Sequence, residues 1–529
     1  MGTSTLVTLT RLEPGPTRAL PRMVWPPVLT VAGSLVGLLL VLSGRYGYHR
    51  DELYFRLLAD QPAWGYVDQP PLTPLLARGA IDLLGDGVWA LRVPAALLCG
   101  LLAVLLALLA REVGGGRRAQ VVASLGAAGA GPLIGGHILL TASLDWPLWV
   151  GIGLLVVRAL RRGDPGWWLA AGALSGLALY NKHLVLLLLL CLAAGLLIAG
   201  PRQVLRTPWP WAAAGLAVLV GAPNLAYQLA NGLPQLQMAG SLTGEAARWI
   251  FLPGQLLVMG PPGALVWGAA LWAMWRDPRW ADLRSLGVAY VLACVLLFAV
   301  AGQFYYSTGF LLVLWAFGAV VVEQWLARAP DEATHRLRRV RVDRLLGINV
   351  LTSALVALPL LPLPLLAVSP VPLLNPAVGD QVGWQPYVQQ VADVYDDLPA
   401  LDRQDAILIA ENYGEAGALD RYGPALGLPP VYSGHNALHD SGPPPQDARV
   451  AVVLVQGQGQ GVSHDLLASS FQSCLVAGVL DNGVGVPNEE QGTEVMVCER
   501  PTAPWAQLWP EFSYVGLSTF CHPCRRLGV

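Results

Sequence analysis

For its first two thirds the chain alternates long apolar runs with short polar connections, and then its character changes. Residues 25–369 contain about eleven apolar runs of roughly 17 to 25 residues, the length a helix needs to cross a bilayer. The first lies near 25–43, the second near 88–110, the fourth near 146–160 and the eleventh near 346–368. Beyond the proline-rich LPLPLLAVSPVPLL, the short apolar stretches AILIA (406–410) and ARVAVVLVQ (448–456) flank a helical pattern in ENYGEAGALDRYG. Strand-like and helical signals in that order predict a small α/β domain. The expected fold class is a polytopic α-helical membrane protein of about 11 transmembrane helices with a C-terminal extracytoplasmic small α/β domain. Its expected divisions are an N-terminal segment 1–24, a transmembrane domain 25–369 with a first outer loop 44–87, and the α/β domain 370–529.

Composition narrows the class. With 54% hydrophobic and 13% charged residues and a mean hydropathy of +0.50, this is not a soluble chain. A net charge of -2 with arginines scattered between apolar runs disfavours nucleic acid as a partner. Residues 1–24 carry Arg11, Arg18 and Arg22 but lack the short apolar core and cleavage site of a signal peptide, so the first span itself should direct insertion.

Arginine returns at every second connection: Arg111, Arg117 and Arg118, then Arg158, Arg161 and Arg162, then Arg202 and Arg206, then Arg276, Arg279 and Arg284, and finally RLRRVRVDR at 336–344. Together with the N-terminal segment these connections hold 20 of the 33 basic residues, against seven in the opposite loops before the tail. Under the positive-inside rule the N-terminus is cytoplasmic, and the first loop and the tail lie outside.

That orientation places five polar clusters on one side. The first is Tyr48 to Leu72, where Arg50, Asp51 and Glu52 meet a membrane boundary and Trp64, Tyr66, Asp68, Pro70 and Pro71 form a stiff aromatic turn. Acids at such an edge either open a helix, favoured by its dipole, or face a site. Asp145, in TASLDWPLW, is either an N-cap or a second acid of that site. Lys182 is the only lysine beside 32 arginines; it either snorkels at a span end or meets a phosphate as a point charge. His183 follows it with no second histidine at helical spacing, which disfavours a metal ligand. Arg248 and the Gln303 to Tyr306 stretch complete the set. In the tail, Cys474 and Cys498 are expected disulfide partners in an oxidising compartment. Cys521 and Cys524 leave metal, disulfide and free thiol open, and Cys99, Cys191 and Cys294 read as small buried residues.

RDELYF (50–55) followed by WGYVDQPPL (64–72) resembles the first outer loop of polyprenyl-phosphate-sugar-dependent glycosyltransferases with the GT-C fold. The group it is most similar to holds the bacterial protein O-mannosyltransferases and aminoarabinose transferases, and ENYGEAGAL (411–419) and SGHN (433–436) extend the similarity into the tail. The resemblance implies inverting transfer of a sugar from a polyprenyl-phosphate donor to a protein, lipid or glycan acceptor at the outer face of the bacterial cytoplasmic membrane. It implies Asp51 as general base, with Glu52 and Asp145 orienting acceptor or metal. It also implies Lys182, His183 and Arg248 at the donor phosphate, and Arg50, Tyr54, Tyr66, Asp68, Tyr305 and Tyr306 lining the cavity. Gln303 stands where related sequences often have a basic residue, which weakens a phosphate role there. A divalent cation on Asp51, Glu52 and Asp145 stays open, since nothing in their spacing demands one. The competing class is a multi-pass transporter or lipid-linked-sugar flippase, whose expected sign, polar or broken helices at the bilayer midplane, is not what this pattern presents.

Overall fold

The computed structural model describes residues 20–241, 248–456 and 461–516; Arg11, Arg18, Cys521 and Cys524 lie outside them. Six described helices are long and apolar enough to cross a membrane: Trp25–Leu42, Val88–Glu112, Thr141–Arg162, Trp209–Ala230, Pro278–Ala299 and Phe304–Ala327. Two bent pairs raise the number to eight, Arg117–Ala128 with Ala130–His137 at 60° and Arg248–Met259 with Pro261–Arg276 at 88°. The expected number, about eleven, is thus not reached among the described residues by length and composition.

Three runs account for the difference. Gly166–Ala178 has 13 residues and Val185–Ala199 has 15, which at about 1.5 Å per residue fall short of a hydrocarbon core of about 30 Å. The eleventh run does not form one helix. The 26-residue helix Glu332–Ala357 begins with the basic segment. It stops at Leu358, which is extended (φ -109°, ψ 151°) because Pro359 disfavours the helical region for the residue before it. A six-residue helix, Leu363–Val368, follows separately.

The 88° bend centres on Gly260, whose φ of +82° suits glycine. Backbone groups freed at such a break need partners inside the protein. Asn349 supplies them: its Oδ1 accepts from Gly263 N at 2.8 Å and its Nδ2 donates to Met259 O at 3.0 Å.

The arginine-rich connections gather at one end of the bundle. Glu112 pairs with Arg158 and Arg162, and Arg161 with Asp282. Glu323 accepts from the backbone N–H groups of Gly116, Arg118 and Ala119 at 2.6, 3.0 and 3.1 Å, and Arg111 Nε donates to Pro21 O at 2.8 Å.

The first loop and the tail meet at the opposite end. Five strands, β1 (Ala406–Ala410), β2 (Val431–Ser433), β3 (Val450–Val455), β4 (Phe471–Val479) and β5 (Glu494–Pro501), form one sheet in the order β2-β1-β3-β5-β4. The first three are parallel, and β5 runs antiparallel to both its neighbours. Strands β1 and β3 are buried along their whole length, which is why they read as continuous apolar runs without alternation. Cys474 and Cys498, directly opposed on β4 and β5, form the expected disulfide.

The helix Tyr413–Tyr422 follows β1 and packs on the loop helix Arg50–Asp60. Leu53 and Phe55 of the loop helix share one apolar core with Leu408 of β1 and Val452 of β3. The sheet therefore does not hang from the bundle as a separate lobe; the first loop is part of its core.

Candidate active site

The loop helix opens at His49, which is extended and caps it. His49 Nδ1 accepts from Asp51 N at 3.2 Å, and Glu52 Oε2 accepts from His49 N at 2.8 Å. Accepting at Nδ1 suits a neutral ring, and burial pushes the His49 pKa down to about 3. Asp51 and Glu52 both sit in the first turn, where the dipole favours them.

Successive helical positions point about 100° apart, so the two acids diverge. Glu52, fully buried, turns toward the bundle and into a knot. It accepts from Arg92 Nε and Nη2 at 3.0 and 2.9 Å, and from Leu139 N at 3.0 Å. Asp51 turns toward the tail domain, where Tyr413 Oη donates to its Oδ1 at 3.0 Å. Burial raises the Asp51 pKa, while the Arg50 charge, the Tyr413 hydrogen bond and the Lys182 charge lower it; burial prevails.

Around Asp51 the aromatic groups form a stack. Tyr413 lies between Tyr54 (centroids 4.6 Å apart) and His435 (4.8 Å), and His435 stacks on Tyr514 (4.3 Å). Burial holds His435 near a pKa of about 3, so its Nδ1 accepts from Tyr413 N at 3.2 Å while Nε2 donates to Gly516 O at 3.0 Å. Tyr54 Oη donates to Asp68 Oδ1 at 2.9 Å, and burial pushes Asp68 up to about 7.

The other expected lining residues divide. Arg50 is fully buried behind Tyr413, ion-paired with Glu489, its guanidinium 5.0 Å from the Tyr413 ring centre. Tyr66 folds back within the loop, donating to Leu58 O and Gln61 O at 3.1 and 3.0 Å. The turn around it is fastened from several sides: Asn224 Nδ2 donates to Trp64 O at 2.9 Å, Gln235 Nε2 to Val67 O at 3.1 Å, and Leu72 N to Tyr180 O at 2.8 Å. His183 Nε2 lies 2.8 Å from Asn224 Oδ1. Its place in the structure is therefore in the fastening of the loop.

Lys182 stands close by. Its Nζ lies 4.6 Å from the Tyr306 ring centre, a cation-π contact, and its charge reaches both Asp51 and Asp145. Tyr305 meets Tyr306 edge-on with centroids 5.0 Å apart and feels the Asp51 charge. Asp145 is buried, and its Oδ1 has no hydrogen-bond partner among the described residues. Asp51, Asp145, Lys182, Tyr305 and Tyr306 are thus brought into one neighbourhood. Arg248 is exposed and lies on the carbonyls of Phe298 and Ala299, both at 3.4 Å, at the C-terminal end of a helix where a cation is favoured. No described contact joins it to Lys182. Among the described residues no three histidine, cysteine or acidic side chains gather as metal ligands; Asp51 faces Tyr413, while Glu52 faces Arg92 and the backbone N–H of Leu139.

Several residues of this region escape the sequence reading. Arg92 is the only charged residue in VWALRVPAALL, a signal of the kind that marked Lys182. Glu489 and Tyr514 lie more than 400 residues from Arg50 and Asp51, in stretches with no distinguishing pattern.

Comparison with known proteins follows the same outline. Residues 68–227, which include Asp145, Lys182 and His183, match the family model described as dolichyl-phosphate-mannose-protein mannosyltransferase. No curated protein matches the chain by sequence. Among solved structures, ArnT from Cupriavidus metallidurans in the apo state is similar over 91% of this chain and 98% of its own, with a TM-score of 0.57 and 15% identity. The same protein bound to undecaprenyl phosphate is similar over 89% and 97%, with a TM-score of 0.56 and 14% identity. Identity this low speaks for the fold alone. A segment that matches the mannosyltransferase family model is thus carried in a chain with the fold of ArnT.

Proposed function

We propose that the protein moves a sugar from a polyprenyl-phosphate carrier to an acceptor hydroxyl or phosphate, at the outer face of the cytoplasmic membrane. The observation that carries the reading is a carboxylate and a lone ammonium within electrostatic reach at one end of the bundle, Asp51 and Lys182. Asp51 takes the acceptor proton as the acceptor oxygen attacks the anomeric carbon. The bond from that carbon to the phosphate oxygen breaks, and the polyprenyl phosphate leaves with the electron pair. Lys182 steadies the charge that builds on the leaving phosphate, and Arg248 meets the phosphate on its approach. A single displacement inverts the anomeric centre.

ArnT has been solved with undecaprenyl phosphate bound, and a polyprenyl phosphate is the donor carrier proposed here. The arginine-rich end is cytoplasmic in this reading, which puts Asp51 and the 370–529 domain outside. Asp145 and Tyr305 border the acceptor, and Asp68 with Tyr54 shapes its approach.

The test is Asp51→Asn, which removes the charge at nearly constant size. Purified Asp51→Asn protein, given a defined polyprenyl-phosphate sugar, should insert and express normally yet show no turnover. Near-normal turnover would reject the base assignment.

A further inference from the structure

The two residues that end the parallel strands β1 and β2, Ala410 and Ser433, are registered partners. Tyr413 and His435 follow them by a few residues, so both emerge side by side from the carboxyl edge of the parallel strands, a common position for functional side chains in α/β sheets. There Tyr413 is restrained from four directions. Tyr54 and His435 stack on its ring, Arg50 covers it, and His435 Nδ1 accepts from its backbone N–H at 3.2 Å. The hydroxyl that emerges from this clamp donates to Asp51 Oδ1 at 3.0 Å.

The reach of that hydroxyl depends on how closely two helices approach. At Gly417 of the Tyr413–Tyr422 helix an added Cβ would meet Leu53 Cβ at 2.7 Å and the Leu53 backbone carbon at 2.8 Å. Backbone atoms cannot rotate aside, so a side chain here would force the helices apart. Tyr413 precedes Gly417 by four residues, on the same face of the helix, and would be carried away with it.

We propose that Tyr413 is a positioning residue for Asp51, supplied by the tail domain, and that the glycine-seated contact between the two helices sets its reach. The proposal rests on Asp51 being the base. By holding Oδ1, the phenol leaves Oδ2 to take the acceptor proton and stabilises the ionised carboxylate. The other charged or titratable groups facing Asp51 are Arg50 on its own helix, His49 at its cap, Lys182 at the turn before Val185–Ala199, Tyr305 at the start of Phe304–Ala327, Asp68 in the first loop, and Asp380. None of them is altered when only the phenol oxygen is removed.

Tyr413→Phe keeps the ring stack and deletes the hydroxyl. A hydrogen bond to the charged form lowers a carboxyl pKa, so its loss should move the acid limb of kcat/KM upward by about one pH unit. Turnover should fall about ten- to a hundredfold with the KM for donor unchanged. Gly417→Ala, which leaves every polar group in place, should shift the limb in the same direction. The double variant should go no further than Tyr413→Phe alone. Asp51→Asn is measured alongside under the same conditions. If Asp51→Asn is inactive while Tyr413→Phe keeps the parent turnover and acid limb, the positioning role is overturned and the base assignment stands. If Asp51→Asn retains turnover, the base assignment fails and the proposal with it. Should Gly417→Ala fail to fold, Tyr413→Phe still decides between these outcomes.

Discussion

Replacing Arg92 with methionine should loosen several segments of the chain at once. The guanidinium donates to Ser43 O at 2.7 Å, Gly47 O at 2.5 Å and Gln381 Oε1 at 3.2 Å, lies 3.2 Å from His137 Nε2, and holds Glu52 through Nε and Nη2. Both Arg92 and Glu52 are almost completely excluded from solvent. Without Arg92, Glu52 keeps only the backbone N–H groups of Leu139 and His49, and its charge is left uncompensated. Removing one partner of a buried ion pair costs roughly 3 to 5 kcal/mol. The carbonyls of Ser43 and Gly47 lose a donor as well, which favours the upper part of that range.

The assay is thermal denaturation of detergent-purified protein across a cycle of Arg92→Met, Glu52→Gln and the double variant. Once Glu52 is neutral, loss of Arg92 leaves no orphaned charge. Its cost should therefore shrink by about 1 to 3 kcal/mol, the coupling expected of residues in one network. Turnover should fall as well, because Asp51 lies in the first turn of the helix that the knot anchors. A melting point within a degree of the parent for Arg92→Met, or a strictly additive cycle, would refute the argument.

Two further outcomes are expected. Lys182→Met keeps the stem and removes the ammonium; a charge-assisted hydrogen bond of roughly 1.5 to 3 kcal/mol converts to about a ten- to hundredfold loss of donor affinity. Lys182→Arg should retain part of that affinity, and unchanged binding in Lys182→Met would leave the residue as a snorkelling cation. Tags placed between Arg336 and Arg344 and in the tail should differ in protease sensitivity on intact spheroplasts. Protection of the tail tag, with external control tags cleaved, would reverse the orientation.

The parts of this architecture that depend on local pattern were legible in the sequence. Apolar run length located the long helices, arginine periodicity grouped the helix ends that meet around Glu112 and Glu323, and the compartment argument paired Cys474 with Cys498. Where the reading and the structure part, the cause is geometric. Run length counts residues without registering a break, so it merges the two helices that Pro359 separates and counts the 13-residue helix Gly166–Ala178 as a full span. Glu52 and Asp51 look alike as neighbouring acids, and only the helical turn between them sends one into a buried knot and the other to Tyr413. Lys182 stood out because lysine is otherwise absent, whereas Arg92 was hidden among 32 arginines despite its apolar setting. Glu489 and Tyr514 come to the site only through the tertiary fold.

The divergence of the two acids explains how so short a helix is held in the first outer loop. Arg50–Asp60 has 11 residues, below the roughly 12 to 15 at which an isolated helix becomes even marginally stable in water. Its order must come from what it packs against. On one side Glu52 ties it to Arg92 and the bundle; on the other, Leu53 and Phe55 enter the core of the sheet. Asp51 lies between these attachments, joined to the sheet side by Tyr413. A change in how the tail domain seats on the bundle must then move or re-ionise Asp51, even though no residue of the bundle has been altered. Loss of activity from a substitution in the tail is therefore expected to appear in the pH profile, whereas a defect at Lys182 is expected in donor affinity. The two measurements separate acceptor activation from phosphate binding within one site.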